Sequence, residues 1–229
     1  VIMPTGAGAA NGAERALEEA LRQSGLNRED IDAVVTTGYG RTAISDGDKS
    51  ITEITCHARG AHFLDSSVRT VVDIGGQDSK VIRLNDDGSV KNFVMNDKCA
   101  AGTGRFLEMM AKTMEMSLDE LSKVGLSYQE DITISSMCTV FAESEVVSLI
   151  AQNKATDDIV HGLNKAVAAK TASLVKRVGG EEAYMMTGGV AQNQGLVRTL
   201  EERLGTKLVI SDKSQLCGAL GAALFAAEM

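Results

Sequence analysis

The sequence predicts an α/β fold, on three observations. Short β-branched apolar runs alternate with segments whose apolar residues recur at helical spacing. Three consecutive runs, residues 70–74, 80–84 and 90–95, are joined by tight turns. Strand-like runs also pass into helices through glycine turns, the handover expected where a backbone must approach a ligand.

Composition bounds the reading. With 229 residues, 44% of them hydrophobic, the chain holds one large or two small domains, each with a proper core. A net charge of -8 and the absence of a basic run exclude nucleic-acid binding as the main task. The opening VIMPTGAGAANGAE lacks the charged and apolar regions of a signal peptide, and LCGALGAALFAA is too short to span a bilayer. A soluble, cytoplasmic protein that engages no membrane is expected. The initial valine suggests a trimmed or incomplete protein. Cys56, Cys99, Cys138 and Cys217 show no CxxC pair and no scaffold density, so they are ordinary thiols or metal ligands.

In order, NGAERALEEALRQ is a helix with Ala16, Leu17, Ala20 and Leu21 on one face and Gly25 closing it. Residues 33–36 form a short strand running into a glycine turn. SITEITCHARGAHFL is a helix with a capping box from Ser50 to Glu53. Its Cys56, His57 and His62 do not share a face and read as structural. Of the two turns in the three-strand stretch, NDDGS is ordinary hairpin chemistry. DIGGQD is less ordinary: Gly75 and Gly76 let the backbone approach a phosphate, Asp73 and Asp78 suit a metal-bound water, and Gln77 can orient one. A plain hairpin turn remains the competing reading.

NDKCAAGTGRF places Cys99 before a glycine-containing turn that opens a helix with Phe106, Leu107, Met109, Met110, Met114 and Met116 on an apolar face. That face reads as core rather than as a cofactor box. Free amides and the positive macrodipole end at a helix start favour a thiolate, and Cys138 in SSMCTVFAESEVV occupies the same setting. Either cysteine alone also reads as a small buried hydrophobe. A second capping box runs from Ser117 to Glu120, and DITIS reads as a strand before Cys138. Glu143 and Glu145, two apart, face different ways on their helix and are not a paired acid and base. The long helix from Thr156 turns Ile159, Leu163, Ala166, Val167, Leu174, Val175 and Val178 inward, with His161 a surface or satisfied histidine. Residues 183–186 form a strand ending in Gly188 and Gly189, whose pair admits a flat ring against the backbone, with a helix from about Ala191 to Gly205. KLVIS is the last strand. QLCGALGAALFAAEM is the last helix, with Gly218, Ala219, Ala222 and Ala223 as a small-residue face.

Taken together, VVDIGGQDSKVI, NDKCAAGTGRF, SSMCTVFAESEV and MTGGVAQN resemble the BadF/BadG/BcrA/BcrD ATPase family, and within it the activators of (R)-2-hydroxyacyl-CoA dehydratases, of which the 2-hydroxyglutaryl-CoA type is best known. The resemblance implies the actin-like fold of the acetate and sugar kinase and Hsp70 ATPases: two ribonuclease-H-like lobes, the first incomplete at its N-terminus and lacking the first phosphate loop. It divides the chain into residues 1–68 as a partial first lobe, 69–212 as the second lobe with the phosphate-2 and adenosine loops and the cysteines, and 213–229 as a helix packing back toward the first. It implies Asp73 and Gln77 as catalytic residues, with ATP or ADP bound by Gly75, Gly76, Gln77, Gly188, Gly189 and Gln215, and Mg²⁺ present. Cys99 and Cys138 of each of two identical chains would hold one [4Fe-4S] cluster. The implied activity is ATP-driven low-potential electron transfer from a reduced ferredoxin or flavodoxin to the dehydratase. The alternatives are an ATPase subunit of a benzoyl-CoA-type reductase and a truncated nucleotide-binding module without turnover.

Overall fold

The computed structural model describes residues 1–45, 47–135 and 138–229. The chain opens with α1 (Ala9–Ser24), closed by Gly25 in the left-handed region. β1 (Val35–Thr36) pairs in parallel with β2 (Lys49–Ser50), a strand not expected from the sequence. The helix α2 (Glu53–Leu64) follows. Its cap is Thr52, whose side chain accepts from the Thr55 amide, and not Ser50, which is spent in β2.

β3 (Thr70–Ile74), β4 (Ser79–Leu84) and β5 (Val90–Asn96) form the expected meander. Next come α3 (Gly104–Thr113), α4 (Leu118–Val124), α5 (Thr139–Ala151) and α6 (Thr156–Val178). The Ser117–Glu120 capping box is present. β6 (Tyr184–Thr187) leads into a 3-10 turn, Gly189–Gln192, and α7 (Gln194–Leu204). α7 therefore begins later than Ala191, because the Asn193 side chain caps it by accepting from the Leu196 amide. β7 (Leu208–Ile210) and α8 (Cys217–Ala226) complete the chain.

The main sheet has the order β5-β4-β3-β6-β7, antiparallel on the β5 side of β3 and parallel from β3 through β6 to β7. Alternation along the strands feeds two cores. Val72, Ile74, Val81 and Met186 join the larger one with α3 to α7, where Phe106, Leu107 and Met110 are buried and Met109, Met114 and Met116 pack at its margin. The inward residues expected of α6 all lie in or against this core. Val71, Ile82, Leu84 and Met185 face the other way, against Ala58 and Ala61 of α2 and Cys217 of α8. α2, within residues 1–68, thus shares a core with the five-stranded sheet.

α8 lies on α2 at very close range. A Cβ on Gly221 would stand 1.8 Å from the Cys56 carbonyl oxygen, and one on Gly60 would stand 2.2 Å from that of Cys217. The inward small residues of α8 are Gly218, Gly221 and Ala222, while Ala219 and Ala223 face outward.

Residues 131–135 form no strand. Ile132 and Ile134 do alternate into the core, but the neighbouring amides are claimed by side chains: Gln129 and Glu130 donate to Asp158, and Ser135 donates to Glu145. Those amides are therefore not available to a ladder. Part of the hydroxyl-rich stretch before Cys138 lies outside the described residues. His161 is buried and stacks on Tyr128, with ring centroids 3.4 Å apart.

Candidate functional site

β3 and β6 are parallel neighbours in register, Asp73 opposite Thr187, so their carboxyl ends deliver both glycine pairs to one edge of the sheet. Ligands in open α/β sheets bind at this edge, where strand order and direction change. A cavity of about 330 Å³ opens there, within the range of small-molecule sites. Gly75, Gly76, Gly104 and Gly189 form much of its wall, with Gln192, Asn193, Gln215, Glu108 and Asp119 as polar groups. Gln192 Nε2 donates to Gln215 Oε1 at 3.2 Å, joining two of those groups. Gly188 lies just beneath, at φ +84, and a Cβ there would stand 2.3 Å from the Ile74 carbonyl oxygen. Only glycine fits that position. Gln77 is exposed on the phosphate-type loop and does not line the cavity.

The same loop is bonded to α3. Gly104 N–H donates to Gly75 O and Arg105 N–H to Gly76 O, both at 2.8 Å. Two of the amides that a helix start leaves free are thereby spent on holding the glycine loop.

Beneath the loop lies a buried ionic cluster. Lys80 Nζ, 1% exposed, donates to Asp73 Oδ2 and Glu53 Oε1 at 2.8 Å and to Asp78 Oδ1 at 3.0 Å. Asp73 Oδ1 accepts from Thr187 Oγ1 at 2.8 Å and lies 3.3 Å from His57 Nδ1. Burial alone would lower the His57 pKa, but the Asp73 charge overrides it and holds the imidazole up at about 10. Burial likewise opposes the charged form of Asp73, and the His57 and Lys80 charges overcome it and hold the carboxyl below its ordinary value. Tyr39 donates to Asp78 Oδ2 at 3.0 Å, its phenol pushed up to about 12 by burial and by that carboxylate.

Ligand atoms of Glu53, His57 and Asp73 lie within 4.8 Å of one another, a grouping that suits a metal by spacing. The Lys80 ammonium and a protonated His57 already supply positive charge there, so these groups do not fit as a direct Mg²⁺ ligand set. Asp73 and Asp78 do not line the cavity. The structural reading of His57 gains a partner, and Glu53, Lys80, Thr187 and Tyr39 are site-supporting residues that local sequence spacing does not reveal.

The cysteines divide by exposure. Cys56 and Cys217 are fully buried, while Cys99 and Cys138 are exposed free thiols. Cys99 sits in the turn before α3, with its carbonyl and that of Ala101 accepting from Asn96 Nδ2. Cys138 is the residue immediately before α5. Glu143 accepts from Thr113 of α3, and Glu145 accepts from Ser135, so both glutamates are structural and neither lines the cavity.

The model of the BadF/BadG/BcrA/BcrD ATPase family matches residues 2–226. The chain belongs to this family. The (R)-2-hydroxyglutaryl-CoA dehydratase activating ATPase of Acidaminococcus fermentans is 46% identical over 94% of this chain and 83% of its own length. The structure of the Clostridium difficile activator of the 2-hydroxyisocaproyl-CoA dehydratase, with bound ADPNP, superposes with a TM-score of 0.93 at 50% identity, covering 96% of this chain and 82% of that one. The actin-like ATPase fold extends to MreB 5 of Spiroplasma citri, TM-score 0.51 at 14% identity over 96% of this chain and 75% of that one. Among the described residues, no helix is long and apolar enough to cross a membrane.

Proposed function

We propose that this family member is an ATP-dependent activator of a 2-hydroxyacyl-CoA dehydratase, working in the cytoplasm as a homodimer that takes electrons from a reduced ferredoxin or flavodoxin. The observation that carries the reading is the pair of backbone hydrogen bonds joining the Gly75–Gly76 loop to the start of α3, because they tie a nucleotide cavity to the turn that bears Cys99. The relatives named above are dehydratase activators, and one is known with an ATP analogue bound.

In this reading the phosphates lie against Gly75 and Gly76, and the adenosine lies against Gly189 and Gln215, with Gly188 setting the loop beneath. Gln77, exposed on the phosphate loop, orients the attacking water, which displaces ADP from the γ-phosphorus and leaves inorganic phosphate. Asp73 holds the loop through Lys80 and Thr187 instead of touching the reacting atoms. Mg²⁺ would enter with the nucleotide and neutralise charge on its phosphates.

The donor set fits half of a four-thiolate site: two exposed thiols, Cys99 in the turn before α3 and Cys138 at the cap of α5, with the other two cysteines sealed in the core. Cys99 and Cys138 of two chains would hold one [4Fe-4S] cluster, which supplies a one-electron carrier when bound. Iron and acid-labile sulfide counts on anoxically purified protein test this. One cluster per two chains is expected, lost in Cys99→Ser and Cys138→Ser and kept in Cys56→Ser. An iron-free monomer would overturn it.

A further inference from the structure

We propose that Glu143 is a positioning residue which, through Thr113, sets α5 and hence Cys138 against α3 and carries the nucleotide state from the phosphate loop to that thiol. The inference rests on the reading above for the nucleotide, though not for the cluster.

The route is continuous in the structure. Gly75 and Gly76 of the cavity wall accept from the first amides of α3. A Cβ on Gly104 would stand 3.1 Å from Gly75 O and 3.2 Å from Gly76 Cα, so a shift of the loop is passed to α3 with little slack. α3 ends at Thr113, whose hydroxyl reaches Glu143 Oε1 at 3.1 Å in the second turn of α5. Cys138 stands at the head of that helix. Buried Ala142 and Val146 lie on α5 to either side of Glu143, in the core that also holds Phe106 and Met110 of α3.

The junction offers its one donor two acceptors. Thr113 Oγ1 also lies 3.0 Å from the Met109 carbonyl oxygen, and a hydroxyl has one proton to give. Donation to Glu143 links the helices; donation to Met109 closes within α3 and leaves that link unmade. The two acceptors compete for one proton, the carboxylate being the stronger, and a displacement of α3 relative to α5 shifts the balance between them. Glu143 is absent from the cavity wall, so its replacement leaves the nucleotide contacts in place.

The test measures the alkylation rate of Cys138 by iodoacetamide in iron-free protein, with peptide mass spectrometry, in the presence of ADP and of the ATP analogue ADPNP. Nucleotide affinity is measured in parallel by calorimetry. The wild type is expected to show a ratio of rates between the two nucleotides of about fivefold or more, the lower range of coupling between sites. Thr113→Val and Glu143→Ala should bring the ratio close to unity while affinity is unchanged, and Glu143→Gln, which keeps an acceptor oxygen, should retain most of it. A thermal melt for each variant separates a lost coupling from a lost fold, with Glu143→Gln as the arm least exposed to misfolding. An equal ratio in wild type and Glu143→Ala overturns the proposal, as does a wild-type ratio near unity with both nucleotides bound. Failure of either nucleotide to bind the wild type overturns the functional reading, and the proposal falls with it.

Discussion

Replacing His57 should change how stability depends on pH, and the structure sets the size of the change. The imidazole titrates near its ordinary 6.5 in the unfolded chain and at about 10 beside Asp73. Between those values the native state holds a proton that the unfolded state has lost. Stability from this group is therefore complete below about pH 6.5 and disappears as pH rises through about 10. The slope is about 1.4 kcal/mol per pH unit, so going from about pH 7.5 to about pH 9.5 costs about 3 kcal/mol, a large share of a typical domain's total. His57→Gln keeps a donor that can reach Asp73 but cannot titrate. Equilibrium urea unfolding by circular dichroism, run on both proteins across that range, isolates the contribution as a difference of slopes. Ionisable groups that do not touch His57 are common to both and cancel. The variant is expected to be less stable at neutral pH and to converge on the wild type near pH 10. Parallel curves for the two proteins across the range would refute the protonated-histidine argument.

Lys80→Met leaves three carboxylates short of their shared ammonium, and a loss of about 3–5 kcal/mol is expected in the same unfolding assay, easing at acid pH as the carboxylates protonate. Gly188→Ala sets a Cβ against the Ile74 carbonyl at a positive φ, so it should cost about 2 kcal/mol or more and weaken ADP binding measured by calorimetry. Gly221→Ala forces α8 away from α2, with a drop in melting temperature and exposure of Cys217 to thiol reagents as the paired readouts. Thr52→Ala removes the α2 cap and should cost about 1 kcal/mol without altering nucleotide affinity.

The glycine turns that line the cavity were legible because glycine pairs at strand ends are a local signal, and the β3–β4–β5 meander followed from turn chemistry within a few residues. That Cys99 and Cys138 each precede a helix was legible from the sequence; that both are exposed was not. The DITIS segment misled for a physical reason: Ile132 and Ile134 have strand periodicity, but Asp158 and Glu145 take amides around them that a ladder would have used. The cap of α2 was misplaced because Ser50 and Thr52 both suit the role and the β1–β2 pairing decided between them. The ionic cluster was invisible because its members come from α2, β3, the β3–β4 turn and β4, and no spacing rule connects Glu53 with Lys80. Asp73 was read as a group facing ligand; its burial by Lys80, His57 and Thr187 became visible only in three dimensions.

The register between β3 and β6 has a kinetic consequence. Asp73 and Thr187, paired across β3 and β6 beneath the cavity, are 114 residues apart in the chain. Parallel pairing over such a separation carries a large loop-closure cost and is slow to form. The meander, by contrast, closes locally. The two walls of the cavity thus meet later than the meander forms, and in a refolding chain nucleotide affinity follows that long-range step. Recovery of ADP binding after dilution from urea is accordingly a clock for β3–β6 closure, lagging behind the signal of the hairpins.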